Sequence, residues 1–268
     1  MSNGILVIGH APDSLPIPVG FKFVMRRHPH KIFAEKLGLH NFNNSSQVWS
    51  EYSAWFENFM YFSGKHITGV CHYRCAINLT PIKVQNLPFF ARKFVLGRMI
   101  SKTRDLKNFL FVGTAMDLNS NMLQQFVDCH PAFEEALRYG ACIFDELTQK
   151  SPGTTLNRLM ASRQFFVRNI FLTDTDFTHR WTALSFELAK SLDRKFDFGP
   201  TDRWGGFVLE RFFSLFIEDY SADSGCSLIS APLVYFNSAR LTFFPKINRG
   251  IIHRTLRRLK MSGLNLCH

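Results

Sequence analysis

The stretch "ITGVCHYRCAIN", Ile67–Asn78, decides how this chain is read. Ile67, Thr68, Gly69, Val70 and Cys71 make a short apolar run with β-branched residues, the pattern of a strand buried in a sheet. The run passes directly into His72, Tyr73 and Arg74 rather than into a turn residue. An imidazole, a phenol and a guanidinium at the mouth of a buried strand read either as a structural arginine paired with a core carboxylate beside a buried histidine, or as groups placed for a ligand.

Working outward, the neighbouring segments alternate in type. "GILVIGH" predicts a buried strand over Ile5–Ile8 that ends at Gly9 and His10, and "PIPVGFKFVM" a loop followed by a second strand. "NNSSQVWSEYSAWFENFMYF" predicts a helix with Ser45 or Ser46 as N-cap and Val48, Trp55, Phe59 and Phe62 at helical spacing. This rhythm favours an α/β fold with a central, mostly parallel sheet flanked by helices. Further on, "LPFFARKFVLGRMISKTR" reads as a basic helical insertion and "FLFVG" as a strand. Asn119–Leu147 reads as one or two helices broken near Pro131. "RQFFVRNIFLT" reads as one strand, and "DTDFTHRWTALSFELAKSLDRKF" as an amphipathic helix capped by Asp174. "WGGFVLERFFSLFIEDY" reads as a helix after a Gly-Gly turn, and "SAPLVYFN" as a late strand.

The 268 residues, 46% of them apolar and 29 of them phenylalanine, suffice for one aromatic-rich core with a short appendage. A formal charge of +11 implies an anionic partner: nucleic acid, a phosphorylated small molecule or an acidic membrane. The basic residues are dispersed or lie in the tail, and no nucleic-acid module is legible, so no nucleic-acid partner is expected. The six cysteines contain no C-x-x-C pair and read as free thiols in a reducing compartment. Cys71, His72 and Cys75 lack a second ligand pair at zinc-finger spacing. The N-terminus does not read as a signal peptide, and no apolar run reaches the ~18–20 residues that span a bilayer.

Several stretches together resemble the bacterial exopolysaccharide, capsule and O-antigen galactofuranosyltransferase family. They are "ILVIGH", "LPIPVG", "SSQVWSEYSA", "ITGVCHYR", "FLFVGTAMDLNSNMLQQFVDCHP", "FFVRNIFLTDTDF" and "RWGGFVLERF", in the family's order between Ile5 and Phe236. The resemblance implies a GT-A-like glycosyltransferase domain over 1–240, with a nucleotide-binding half over about 1–115 and an acceptor half over about 116–240. It implies inverting transfer of a sugar, galactofuranose in the family, from a UDP-sugar to a lipid-linked polysaccharide acceptor. The chain departs from the family pattern at Cys75, where a second arginine is expected, at His10-Ala11, at Met60-Tyr61 and at Phe126. Two rival readings remain: a non-catalytic relative that binds glycan or scaffolds a biosynthetic complex and, less favoured, a nucleic-acid-binding protein.

The resemblance also distributes roles. GT-A enzymes commonly hold a metal on the diphosphate with an Asp-x-Asp at this strand end, and here His72 and Arg74 stand there instead. Guanidinium groups can neutralise phosphate directly by bidentate pairing. Donor contacts are thus expected from His10, His72, Arg74, Asn169 and Arg203, and sugar or acceptor contacts from Glu51, Tyr73 and Arg211. Glu210 is the first candidate for the general base and Asp202 the second; a structural Glu-Arg pair is the alternative for Glu210 and Arg211. Asp174–Asp176, a literal Asp-x-Asp, reads better as a helix cap than as a metal site. No cofactor is expected, and a divalent metal is the less favoured alternative. His130, before Pro131, reads as a helix-end residue. The tail, 241–268, places Ile252, Leu256 and Leu259 on one helical face among Arg254, Arg257, Arg258 and Lys260. It is expected to lie on anionic lipid, at the inner face of the cytoplasmic membrane.

Overall fold

Alternation of side chains along single strands organises the interior. The structure, a computed structural model, describes residues 4–9, 21–25, 49, 52, 55–56, 67–72, 75–80, 86–88, 94–95, 97–99, 108–197 and 203–237. His10, Glu51, Tyr73, Arg74, Asp202 and the basic tail lie outside the described residues. Strand β3 (Ile67–His72) sends Val70 to one buried cluster and Cys71 to another. Strand β9 (Phe171–Leu172) repeats this, with Phe171 on the first side and Leu172 on the second. A strand whose successive residues enter two cores is buried on both faces, which is why its sequence is continuously apolar.

Around β3 the sheet is mixed. Strands β1 (Gly4–Gly9), β2 (Phe21–Met25) and β3 run parallel, with β1 between the other two. On the other edge of β3, β9 is antiparallel both to β3 and to β6 (Phe109–Gly113). Strand β10 (Ser227–Ala231) then lies parallel to β6. A hairpin pairs His72 with Cys75 and starts β4 (Cys75–Ile77). Strand β11 (Leu233–Asn237) pairs antiparallel with β4 and parallel with β5 (Asn86–Pro88). The small strands β7 (Met116–Asp117) and β8 (Gln164–Phe165) pair separately. Most of the paired residues in this sheet are parallel, as expected, and the antiparallel part comes from β9, which enters reversed, and from β4, which turns back on β3 and pairs with β11.

Helices cover both faces. On one lie α1 (Met122–Cys129), α2 (Glu134–Leu147), α3 (Thr154–Ala161), α4 (Thr175–Lys195) and α5 (Trp204–Ser224). On the other are helical residues Val95 and Met99, buried against Ile170, Leu172 and Val234. Much of the phenylalanine resides in the first layer. Phe144 stacks on Phe212 at 5.2 Å, and Phe171, Phe177 and Phe213 meet edge-on or tilted. Such pairs add ~0.5–1.5 kcal/mol each beyond their area burial.

Local signals place several helix ends as expected. Asp174 caps α4, its side chain accepting the Phe177 N–H at 3.0 Å. Pro131 opens a short 3-10 turn between α1 and α2. Three expectations change. "RQFFVRNIFLT" is two short strands rather than one, separated by a turn at Val167–Asn169. "SAPLVYFN" is also divided, at Pro232, between β10 and β11. Helix α5 begins at Trp204, so Gly205 and Gly206 are inside its first turn instead of preceding it. A Cβ on Gly205 would lie 2.6 Å from the Trp49 indole, and the glycine lets that ring pack on the helix. Among the described residues no helix is long and apolar enough to cross a membrane.

Candidate functional site

Two clusters of polar and aromatic side chains lie at either end of one segment, Gln164–Leu172. The first is built on the opening turns of α5. Arg211 is only 3% exposed, with its guanidinium carbon 3.8 Å from the Phe165 ring centre and 5.4 Å from that of Phe126. Its Nη2 donates to Gln125 Oε1 at 2.6 Å. Burial pulls its pKa down to about 10, while the Glu210 carboxylate pushes the other way, so the group remains a cation at neutral pH. A desolvated cation between two aromatic rings is held by ~2 kcal/mol or more per good stack.

Glu210 is half-buried beside it on the same helix. Arg203, about two turns earlier at the N-cap and exposed, lies over the Phe207 ring at 5.6 Å. Phe207 in turn stacks nearly parallel on His130, with centroids 4.2 Å apart. Desolvation first, and the Arg211 charge second, lower the His130 pKa and keep the imidazole neutral. His130 is thus a helix-end residue, as expected, and also one wall of the cluster that carries Arg203, Glu210 and Arg211.

The second cluster lies at the β3–β4 hairpin. Arg168 and Asn169 both have positive φ, 73° and 44°. Asn169 is buried, and its Oδ1 accepts the Tyr52 hydroxyl at 2.6 Å. Arg168 is exposed and lies over the Tyr235 ring at 4.9 Å. Tyr235 is the register partner of Cys75, and the Tyr235 phenol and the Arg168 guanidinium both lie beside the Cys75 thiol. Burial pushes the Cys75 thiol up to about 11 in spite of the nearby guanidinium. The Tyr235 phenol is also raised, chiefly by burial and then by Cys75. Thiol and phenol both stay protonated at neutral pH. Cys75 pairs with His72, whose backbone is described, and follows Arg74 in the chain.

The two clusters are tied together. Phe165 covers Arg211, the Phe166 N–H donates to Ser214 Oγ on α5 at 3.0 Å, and Arg168 follows two residues later. Among the expected site residues, Arg203, Glu210 and Arg211 therefore share one cluster, while Asn169 and His72 belong to the hairpin end. Asp174 and Asp176 stand elsewhere, both accepting from the Tyr220 hydroxyl at 3.1 Å, with Asp176 also ion-paired to Arg180. Among the described residues, no three His, Cys, Asp or Glu side chains are grouped to hold a metal ion. The sequence reading passed over Arg168 and Tyr235. The adjacency of Arg168 to Asn169 was visible, but the left-handed turn that exposes the arginine was not.

Compared as a fold, the chain superposes on a solved structure of the WbbM bifunctional glycosyltransferase in its apo state, with a TM-score of 0.70. The fold is similar to that of a glycosyltransferase. The match covers 91% of this chain at 13% sequence identity, and the chain spans about half the length of that protein, 48%. No protein-family profile and no curated protein matches the sequence.

Proposed function

We propose that this chain is an inverting, GT-A-like glycosyltransferase that moves a sugar, galactofuranose, from a UDP-sugar to a lipid-linked polysaccharide acceptor. The observation that carries the reading is the superposition of nine-tenths of the chain on a glycosyltransferase fold. The strand end at His72, where open α/β sheets commonly bind ligands, supports it.

In this reading the acceptor hydroxyl attacks the sugar's anomeric carbon. The bond from that carbon to the diphosphate oxygen breaks, and the hydroxyl proton passes to Glu210, or to Asp202 in its place. Charge building on the leaving diphosphate is met by Arg74 and His72 rather than by a metal ion. His10, Asn169 and Arg203 complete the donor site, and Glu51 and Tyr73 contact sugar or acceptor. Arg211 serves from behind: at 3% exposure it holds Gln125 and the first turns of α5 in place, rather than reaching for a ligand. The basic tail brings the enzyme to the cytoplasmic face of an anionic membrane, where a lipid-linked acceptor is found.

The test is a donor panel with the intact chain: UDP-galactofuranose, UDP-galactose, UDP-glucose and UDP-N-acetyl sugars, each with and without EDTA. Turnover of UDP-galactofuranose that persists in EDTA is expected. Binding of these donors with no turnover of any would replace the enzyme by a glycan-binding relative. Turnover abolished by EDTA would return the diphosphate to a metal.

A further inference from the structure

We propose that Arg168 is an oxyanion-binding residue, held at the β3–β4 hairpin end to take a phosphate group of the donor. Two consecutive left-handed residues that are not glycine are costly, and such strain is kept where the surroundings enforce it. Here Asn169 enforces it. Its buried amide is gripped by Tyr52, 117 residues away in sequence, and this fixes the turn on which Arg168 stands. A glycine at 168 would suit that backbone better. The turn alone therefore gives no reason for an arginine.

The surroundings of the guanidinium supply one. Its face rests on Tyr235, which orients the plane and leaves N–H donors along the edge. Arg138, Arg158 and Arg180 each pair with a carboxylate, whereas none among the described residues pairs with Arg168. Its described neighbours, the Cys75 thiol and the Tyr235 phenol, are protonated at neutral pH and bring no negative charge to it. An exposed, oriented guanidinium that no described carboxylate neutralises is matched by a bidentate oxyanion, and phosphate is the group with that geometry. The oxyanion site stands on these contacts alone. Its assignment to the donor rests on the glycosyl-transfer reading.

Titration calorimetry on the intact chain at low salt, with inorganic pyrophosphate, UDP and uridine as probes, tests both. Pyrophosphate and UDP are expected to bind the wild type, and Arg168→Gln to weaken each by about tenfold or more while uridine is unaffected. Arg168→Gly, compatible with the positive φ, is expected to lose the same binding without lowering the thermal midpoint, which separates binding from folding. Arg168→Lys, which keeps the charge but not the fork, is expected to fall between. Undiminished binding by Arg168→Gln and Arg168→Gly overturns the proposal, and so does a wild type that binds neither pyrophosphate nor UDP. Arg168-dependent binding of pyrophosphate without binding of UDP keeps the oxyanion site and removes the UDP-sugar reading.

Discussion

Replacing Gly205 by alanine adds one carbon at a place where there is no room for it. The new Cβ would lie 2.6 Å from Trp49 Cε3 and 2.7 Å from Cζ3, well inside van der Waals contact. The indole cannot step aside easily: Trp49 is fully buried and packs on Trp204 at 5.4 Å. Overpacking a tight core costs about 1–3 kcal/mol. Alanine returns up to ~1 kcal/mol of helix propensity, less in a first turn than in a helix interior. The net expectation for Gly205→Ala is a loss of about 1–2 kcal/mol, or a midpoint lowered by about 2–6 °C in a chain of this size. Gly97→Ala is the matched control. Gly97 is helical too, but no atom of the described residues lies within 4 Å of its Cβ position, so this change is expected to be neutral or stabilising. Urea unfolding followed by circular dichroism measures both. Trp49→Leu removes the obstructing ring, so the double variant with Gly205→Ala should show a coupling above about 0.5 kcal/mol. A Gly205→Ala protein as stable as the wild type would refute the packing argument. The same change disturbs the helix start that carries Arg203 and Glu210, so on the proposed glycosyl-transfer reading turnover should fall with stability.

Three further outcomes are expected. Glu210→Gln should lower turnover by about 10²–10⁴-fold with an unchanged thermal midpoint, and a variant transferring sugar at the normal rate would remove Glu210 from the chemistry. Because the Cys75 thiol is raised to about 11 in the folded chain, its stabilising contribution is complete below the unfolded thiol's pKa. That contribution is lost as pH rises toward 11. It amounts to about 2–3 kcal/mol, so Cys75→Ala should flatten the alkaline limb of a stability–pH curve; an unaltered limb would count against it. Both Arg211→Met and Arg211→Ala lose the bond to Gln125, but Met keeps most of the volume between Phe165 and Phe126 and should cost less than about 1.5 kcal/mol, whereas Ala also opens a void and should cost about 2–4 kcal/mol. Equal losses in urea for the two would contradict the packing role.

Much of the fold was legible because its signals are local. The strand over Ile67–Cys71 announces itself by an unbroken apolar run, and Asp174 by its place before an amphipathic helix. The break at Pro131 follows from a missing N–H. Helix α3 went unread, since its eight residues open after a left-handed Gly153 without a side-chain cap. The candidate site was legible in part. "LERF" marks Glu210 and Arg211 as a pair, but nothing in that run tells that one is half-buried at the surface and the other enclosed by Phe165 and Phe126.

What the sequence determined by itself is therefore the type and approximate span of most elements, since periodicity, caps and breakers act within a few residues. The tertiary structure decided three things whose causes lie far apart in the chain. Strand β9 runs against both β3 and β6, a pairing with distant segments that no local pattern encodes. Gly205 admits Trp49, a residue 156 positions earlier, into the start of α5. And "FFVRNIF" turns left-handed at Arg168 and Asn169 because Tyr52 grips the amide while Tyr235 supports the guanidinium. Read as a strand, that segment would alternate its side chains between two core faces. Held by those two tyrosines, it buries the asparagine and leaves the arginine's charge at the hairpin where "ITGVCHYRCAIN" ends its buried run.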